Sequence, residues 1–167
     1  MKNLYKTLLA SGILLSCFSA CSQVAPSSTT PDGGKLESDG RIIQGKITGA
    51  KVGVKTKMAL FGSFLNASGN KINAKNETVD KDVVLAIAPV ENGAYKFGLP
   101  KAPPKANVAA NLKLFAFNDD NSNNTFDENE TKSKEAQVRW VVVAGYQSAR
   151  DADGNEVLLS DFRDFDF

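Results

Sequence analysis

From Arg41 onward, several runs place apolar residues at every second position, and that period marks strands. Tyr95, Phe97 and Leu99 alternate with Ala94, Lys96 and Gly98. Val52, Val54, Thr56, Met58 and Leu60 share one face of an earlier run, with Lys55 and Lys57 on the other. Arg41–Thr48, with Ile42, Ile43 and Ile47, is a further predicted strand. Val83–Val90 is apolar on both faces, as a central strand is. Asn111–Phe117 and Gln137–Tyr146 add two more. Glu91-Asn92-Gly93 and Asp153-Gly154 supply turns, because Asn, Asp and Gly tolerate positive φ. Asn66–Lys81 is mostly polar, with Ser68-Gly69-Asn70 at its heart, and reads as a long loop, and Pro100–Pro104 interrupts the sheet. In the tail, Asp161–Phe167, Phe165 and Phe167 share a face, as in a closing edge strand or a docking segment for a partner. No helical period follows Gly40. The expected architecture is all-β, a single β-sandwich over residues 41–167, with Met58, Trp140 and the phenylalanines in its core.

The first 20 residues follow a different rule. Lys2 and Lys6 precede an uncharged stretch, Leu8–Ala20, rich in Leu, Ile and Ala. It is shorter than the ~20 apolar residues that span a bilayer and has the proportions of a signal-peptide core. Phe18-Ser19-Ala20-Cys21 then closes it with small residues and a cysteine, and this resembles the lipobox of bacterial lipoproteins. The resemblance implies acylation of Cys21, a leader over residues 1–20, and a lipid anchor in the cell envelope, in the outer membrane of a Gram-negative cell. Leu14-Leu15-Ser16-Cys17 offers Cys17 as the alternative site. An ordinary secretory signal cut after Ala20 is the competing reading. Residues 21–40 are dominated by Ser, Thr, Pro and Gly and are expected to form a flexible tether.

Composition narrows the function. Without residues 1–20 the chain keeps 18 basic and 19 acidic residues, a balance that argues against nucleic acid as a partner. With Cys21 acylated no disulfide can form, so a core, a metal or partners must supply stability. The chain has no histidine, which removes Ser-His-Asp and Cys-His catalysis and the usual zinc sites. No Gly-rich phosphate loop follows a strand. The expectation is a protein that is not an enzyme.

Gly45-Lys46-Ile47-Thr48-Gly49, with Glu91-Asn92-Gly93-Ala94-Tyr95-Lys96-Phe97 and Leu99-Pro100, resembles the carboxypeptidase-regulatory-like or transthyretin-like β-sandwich. The likeness extends over residues 41–117 and implies a prealbumin/Ig-like sandwich rather than any activity.

One stretch carries chemistry. With Asp119 as position one, Asn121 falls at three, Asn123 at five, Thr125 at seven, Asp127 at nine and Glu130 at twelve. This is the spacing of an EF-hand-type calcium loop, in which alternate side chains converge on one ion. Thr125 is expected to offer its carbonyl, Glu130 both carboxylate oxygens, and Phe126 an anchor to the core. Position six, usually Gly, is Asn124, the residue after Gly that best tolerates the left-handed conformation. Two neutral Asn ligands imply modest affinity, on the order of 10⁻⁴ M. Strand-like flanks make the loop resemble calcium loops inserted in bacterial surface β-domains. A plain polar hairpin loop is the alternative. Asp151-Ala152-Asp153-Gly154-Asn155-Glu156 is a poorer second candidate, better read as a turn.

These features together predict a membrane-anchored, calcium-stabilised envelope lipoprotein acting in surface or periplasmic binding and assembly. The alternative is a carbohydrate- or peptide-binding module that stacks its ligand on Trp140, Tyr146 or Tyr95.

Overall fold

The computed structural model describes residues 28–107, 110–143, 146–151 and 164–167. The leader, Cys17, Cys21 and the Asp153-Gly154 turn lie outside the described residues. Among those described there is no helix, and ten strands carry the fold: β1 (Ser38–Thr48), β2 (Thr56–Gly62), β3 (Phe64–Leu65), β4 (Lys71–Ile72), β5 (Val83–Glu91), β6 (Ala94–Pro100), β7 (Ala110–Asn118), β8 (Ala136–Val143), β9 (Tyr146–Asp151) and β10 (Phe165–Asp166). Eight of them form one sheet in the order β10-β1-β6-β5-β2-β7-β8-β9, and β3 and β4 pair separately.

The sheet curls. β5 pairs with β2 from Val83 to Pro89 and with β6 only at Val90 and Glu91, so it passes from one half of the sheet to the other. The two halves meet across the interior. The Arg41 guanidinium of β1 lies 5.3 Å over the Trp140 ring of β8, although these strands stand near opposite ends of the order. Between them sits the main core, which includes Ile43, Met58, Leu60, Phe97, Leu112 and Trp140.

A second, smaller cluster lies on the other face of β2, β5 and β7: Ala59, Val84, Ile87, Phe115 and Phe117. This is why Val83–Val90 is apolar on both faces. The β2–β5 register shifts between Leu60 and Phe61, where Leu60 faces Ala86 and Phe61 faces Val84. Leu85 is the extra residue of a bulge. It reverses the alternation, so Leu85 and Ala86 both join the main core while Val84 and Ile87 face the other way.

Several expectations change. The strand expected from Val52 begins only at Thr56. Val54 is fully exposed because residues 53–56 form a turn, in which the Thr56 N–H donates to the Gly53 carbonyl at 3.0 Å. The Thr56 hydroxyl locks that turn, accepting from the Gly53 N–H and donating to Asn118 Oδ1, each at 2.8 Å. The long loop over 66–81 instead begins as a small ribbon, with Phe64 opposite Ile72 and both side chains buried. The strand expected to run to Tyr146 ends at Val143, and Tyr146–Asp151 returns antiparallel beside it as β9.

Within the span expected as a tether, Ser28–Gly40 lies against the sheet. Thr29 donates to the Ile87 carbonyl at 3.0 Å and accepts from its N–H at 2.8 Å. Ser28 is buried and donates through Oγ to the Gly98 carbonyl at 2.7 Å. The cause is local: β6 leaves β5 after Val90, and the open backbone of Ile87 needs a partner. In the tail, Phe165 and Phe167 are both buried, and β10 runs parallel to β1 on its outer edge. Gly49 permits that approach, since a Cβ there would stand 2.0 Å from the Phe167 carbonyl oxygen.

Candidate functional site

The loop of residues 119–130 leaves β7 and returns to the same level of the sheet. Asn118 donates to the Thr131 carbonyl at 3.0 Å, Asp119 to Lys55 at 3.1 Å, and Ser133 to Ala116 at 2.8 Å. Both ends of the twelve-residue span are therefore fixed, and both carry carboxylates withdrawn from solvent. Asp119 is 1 % exposed and Glu130 7 %.

Asp119 organises the first half. Its Oδ1 accepts the Asn123 N–H at 3.0 Å, and its Oδ2 accepts the Asn124 N–H at 3.1 Å and the Lys57 ammonium at 2.6 Å. Burial pushes this carboxyl up, but the Lys57 bond, the Asn124 and Asn123 N–H groups and the nearby positive charge outweigh it. The pKa stays below the ordinary 3.8. Asn124 adopts φ 59°, the left-handed conformation expected of position six, and its Oδ1 also accepts from Lys57.

Short-range turns arrange the remaining side chains. Asn121 Oδ1 accepts from the Asn123 N–H at 3.1 Å, and Asn123 Oδ1 from the Thr125 N–H at 2.9 Å. The amide groups of Asn121 and Asn123 both donate to Asp127 Oδ2 at 2.8 Å. Glu130 closes the loop, its Oε1 accepting from the Asp120 N–H at 2.9 Å and its Oε2 from the Asp127 N–H at 3.0 Å. Phe126 reaches the second cluster rather than the main core, with ring centroids 5.1 Å from Phe115 and 5.8 Å from Phe117.

The six predicted ligand residues thus belong to one hydrogen-bonded loop, with Thr125 joined through its main chain. Their donor set is all oxygen, the kind calcium prefers. Each sp² oxygen that accepts a single hydrogen bond keeps a second lone pair. The carboxylates alone are not gathered: among the described residues no group of three or more His, Cys, Asp or Glu stands close enough to hold a metal ion. An ion here would depend on the Asn oxygens and the Thr125 carbonyl. Lys57 joins the loop through Asp119 and Asn124, although the sequence placed it merely on a polar face. The signal for it is register, because Lys57 pairs with Phe117 and so stands beside the base of the loop.

The aromatic residues expected to stack a ligand are placed otherwise. Trp140 is fully buried, 5.7 Å edge-on to Phe64, and Tyr95 is 4 % exposed against Phe165 at 6.0 Å. Both are packing residues with no face open to a sugar or peptide. The backbone of Tyr146 pairs with Val143 at the start of β9, and its side chain lies outside the described residues. Asp151 ends β9 opposite Val138, and the rest of the second acidic stretch lies outside them too. Among the described residues no helix is long and apolar enough to cross a membrane. Comparison with protein-family models, with curated proteins and with solved structures gives no match.

Proposed function

We propose that this protein is an extracytoplasmic lipoprotein, held to a membrane through Cys21, whose β-sandwich is stabilised by one calcium ion in the loop of residues 119–130. The sandwich reading takes β10, β1 and β6 as one layer and β2, β7, β8 and β9 as the other, with β5 shared. Its role in this reading is binding or assembly in the envelope rather than catalysis. The observation that carries the calcium assignment is the loop itself. Two buried carboxylates stand at positions one and twelve, and a left-handed Asn stands at position six. Asp119, Asn121, Asn123, Thr125, Asp127 and Glu130 are the residues that would hold the ion. Lys57 supplies positive charge to Asp119 when no ion does, which fits modest rather than tight affinity.

Calorimetric titration of the protein with calcium tests this reading, together with melting curves in calcium and in chelator. One site, a higher melting temperature with calcium, and loss of both in Glu130→Ala are expected. No heat up to several millimolar calcium, above the range of extracellular modules, overturns the assignment. The anchor is tested separately: Cys21→Ala should move the protein from the membrane to the soluble fraction.

A further inference from the structure

On the outer face of β2 and β7, away from the main core, a cleft of about 320 Å³ opens beside the loop. Its floor is aromatic: the half-buried rings of Phe61 and Phe126, resting on Phe115, which is itself 1 % exposed and centred 6.2 Å from Phe61. Its rim is ionic. Glu135 accepts from Lys132 at 2.6 Å and from Lys113 at 2.9 Å, and Glu128 completes the rim. The Lys132 ammonium lies 5.2 Å from the centroids of both Phe115 and Phe126.

The chemistry of the lining selects among ligands. An aromatic floor calls for a ligand with a flat apolar face. The rim carries two ammonium groups and two carboxylates. A cation would meet Lys113 and Lys132, and an anion would meet Glu128 and Glu135, so neither gains a net attraction. A group that both donates and accepts hydrogen bonds finds partners for each. A sugar ring combines these properties, with C–H bonds on its face and hydroxyls at its edge. Lys132 is 40 % exposed in its side chain and ion-paired with Glu135 at the rim.

We propose that the cleft binds a neutral saccharide unit, packed against the half-buried rings of Phe61 and Phe126 and hydrogen-bonded by Lys113, Lys132 and Glu135. This moves the aromatic binding surface from Trp140, Tyr95 and Tyr146 to the outer face of the sheet. It depends on neither the lipid anchor nor the calcium ion.

The test is nuclear magnetic resonance titration of the protein with cellotetraose, maltotetraose and chitotetraose, at saturating calcium and in chelator. The expected result, in either condition, is that one of them shifts the ring signals of Phe61 and Phe126 with a dissociation constant around the millimolar range. Phe61→Leu and Phe126→Leu keep apolar filling but remove the ring, and each is expected to weaken binding about tenfold. Glu135→Gln leaves the floor intact and is expected to cost several-fold. If the leucine variants melt early, that variant decides, and an unchanged affinity in it overturns the proposal. Three further results overturn it: no shift from any of the sugars at about 50 mM, undiminished binding in well-folded leucine variants, or tighter binding of tetramethylammonium or hexanoate.

Discussion

At the scale of single residues, Asn124 and Asp119 set the terms of the loop. Asn124 holds φ 59° where only Gly and a few polar residues sit without strain. Asn124→Gly should therefore keep the backbone conformation and lose only the side-chain bond from Lys57, while Asn124→Val should lose about 1–2 kcal/mol more, measured as a lower denaturant midpoint. Asp119 makes a pH-dependent contribution of determinate sign. Its folded pKa lies below the ordinary 3.8, so the carboxylate stabilises the fold above that value. The contribution is lost as pH falls through the depressed folded pKa. Urea midpoints followed from neutral pH into acid should fall steeply below about pH 4. Asp119→Asn, which cannot titrate, should flatten that part of the curve. A wild-type profile that shows no such fall would refute the role given to Asp119. The hydrogen-bonded organisation of the loop was legible because it is local, twelve consecutive residues read in order. Lys57 was not, because its place beside Asp119 follows from the pairing of β2 with β7, sixty residues apart in the chain.

At the scale of elements, alternation revealed the strands that bury one face. Tyr95, Phe97 and Leu99 are all core residues. It failed where hydrogen bonds rather than burial hold the chain. Ser28, Thr29 and Thr30 carry no apolar signal, yet Ser28 and Thr30 are buried and Thr29 pairs with Ile87 in both directions. The polar sequence of β9 likewise hides a strand whose backbone is paired along β8. Val54 errs the other way: it extends the alternating pattern of β2 back across the turn that precedes the strand, and it is left in solvent. Thr29→Pro removes a donor from the pair with Ile87 and should cost about 1–3 kcal/mol, with faster hydrogen exchange at the Ile87 amide. Gly49→Ala should displace β10, because its methyl would overlap the Phe167 carbonyl. The expected readout is faster hydrogen exchange at the Phe167 amide, which donates to the Thr48 carbonyl at 2.7 Å.

At the scale of the whole molecule, the fold closes on Trp140. The sheet has no helix against it among the described residues, so it must bury its inner face by curling. Trp140 occupies the place where β8 meets β1 and the β3–β4 ribbon. Its indole fills volume that no neighbour can reclaim by a small shift, since Phe64 and Arg41 are held by different strands. Trp140→Ala should therefore cost about 3–5 kcal/mol, a large part of the 5–15 kcal/mol typical of a domain. Val54→Ser, at a fully exposed side chain, should change stability by less than about 0.5 kcal/mol. Trp140→Phe separates packing from polarity. The indole N–H is buried and has no hydrogen-bond partner, so replacing the ring removes an unsatisfied donor along with some volume. That variant should retain most of the stability lost in Trp140→Ala. If it fell as far as Trp140→Ala in denaturant unfolding, closure would depend on the Arg41 contact with the indole face rather than on the volume that Trp140 fills.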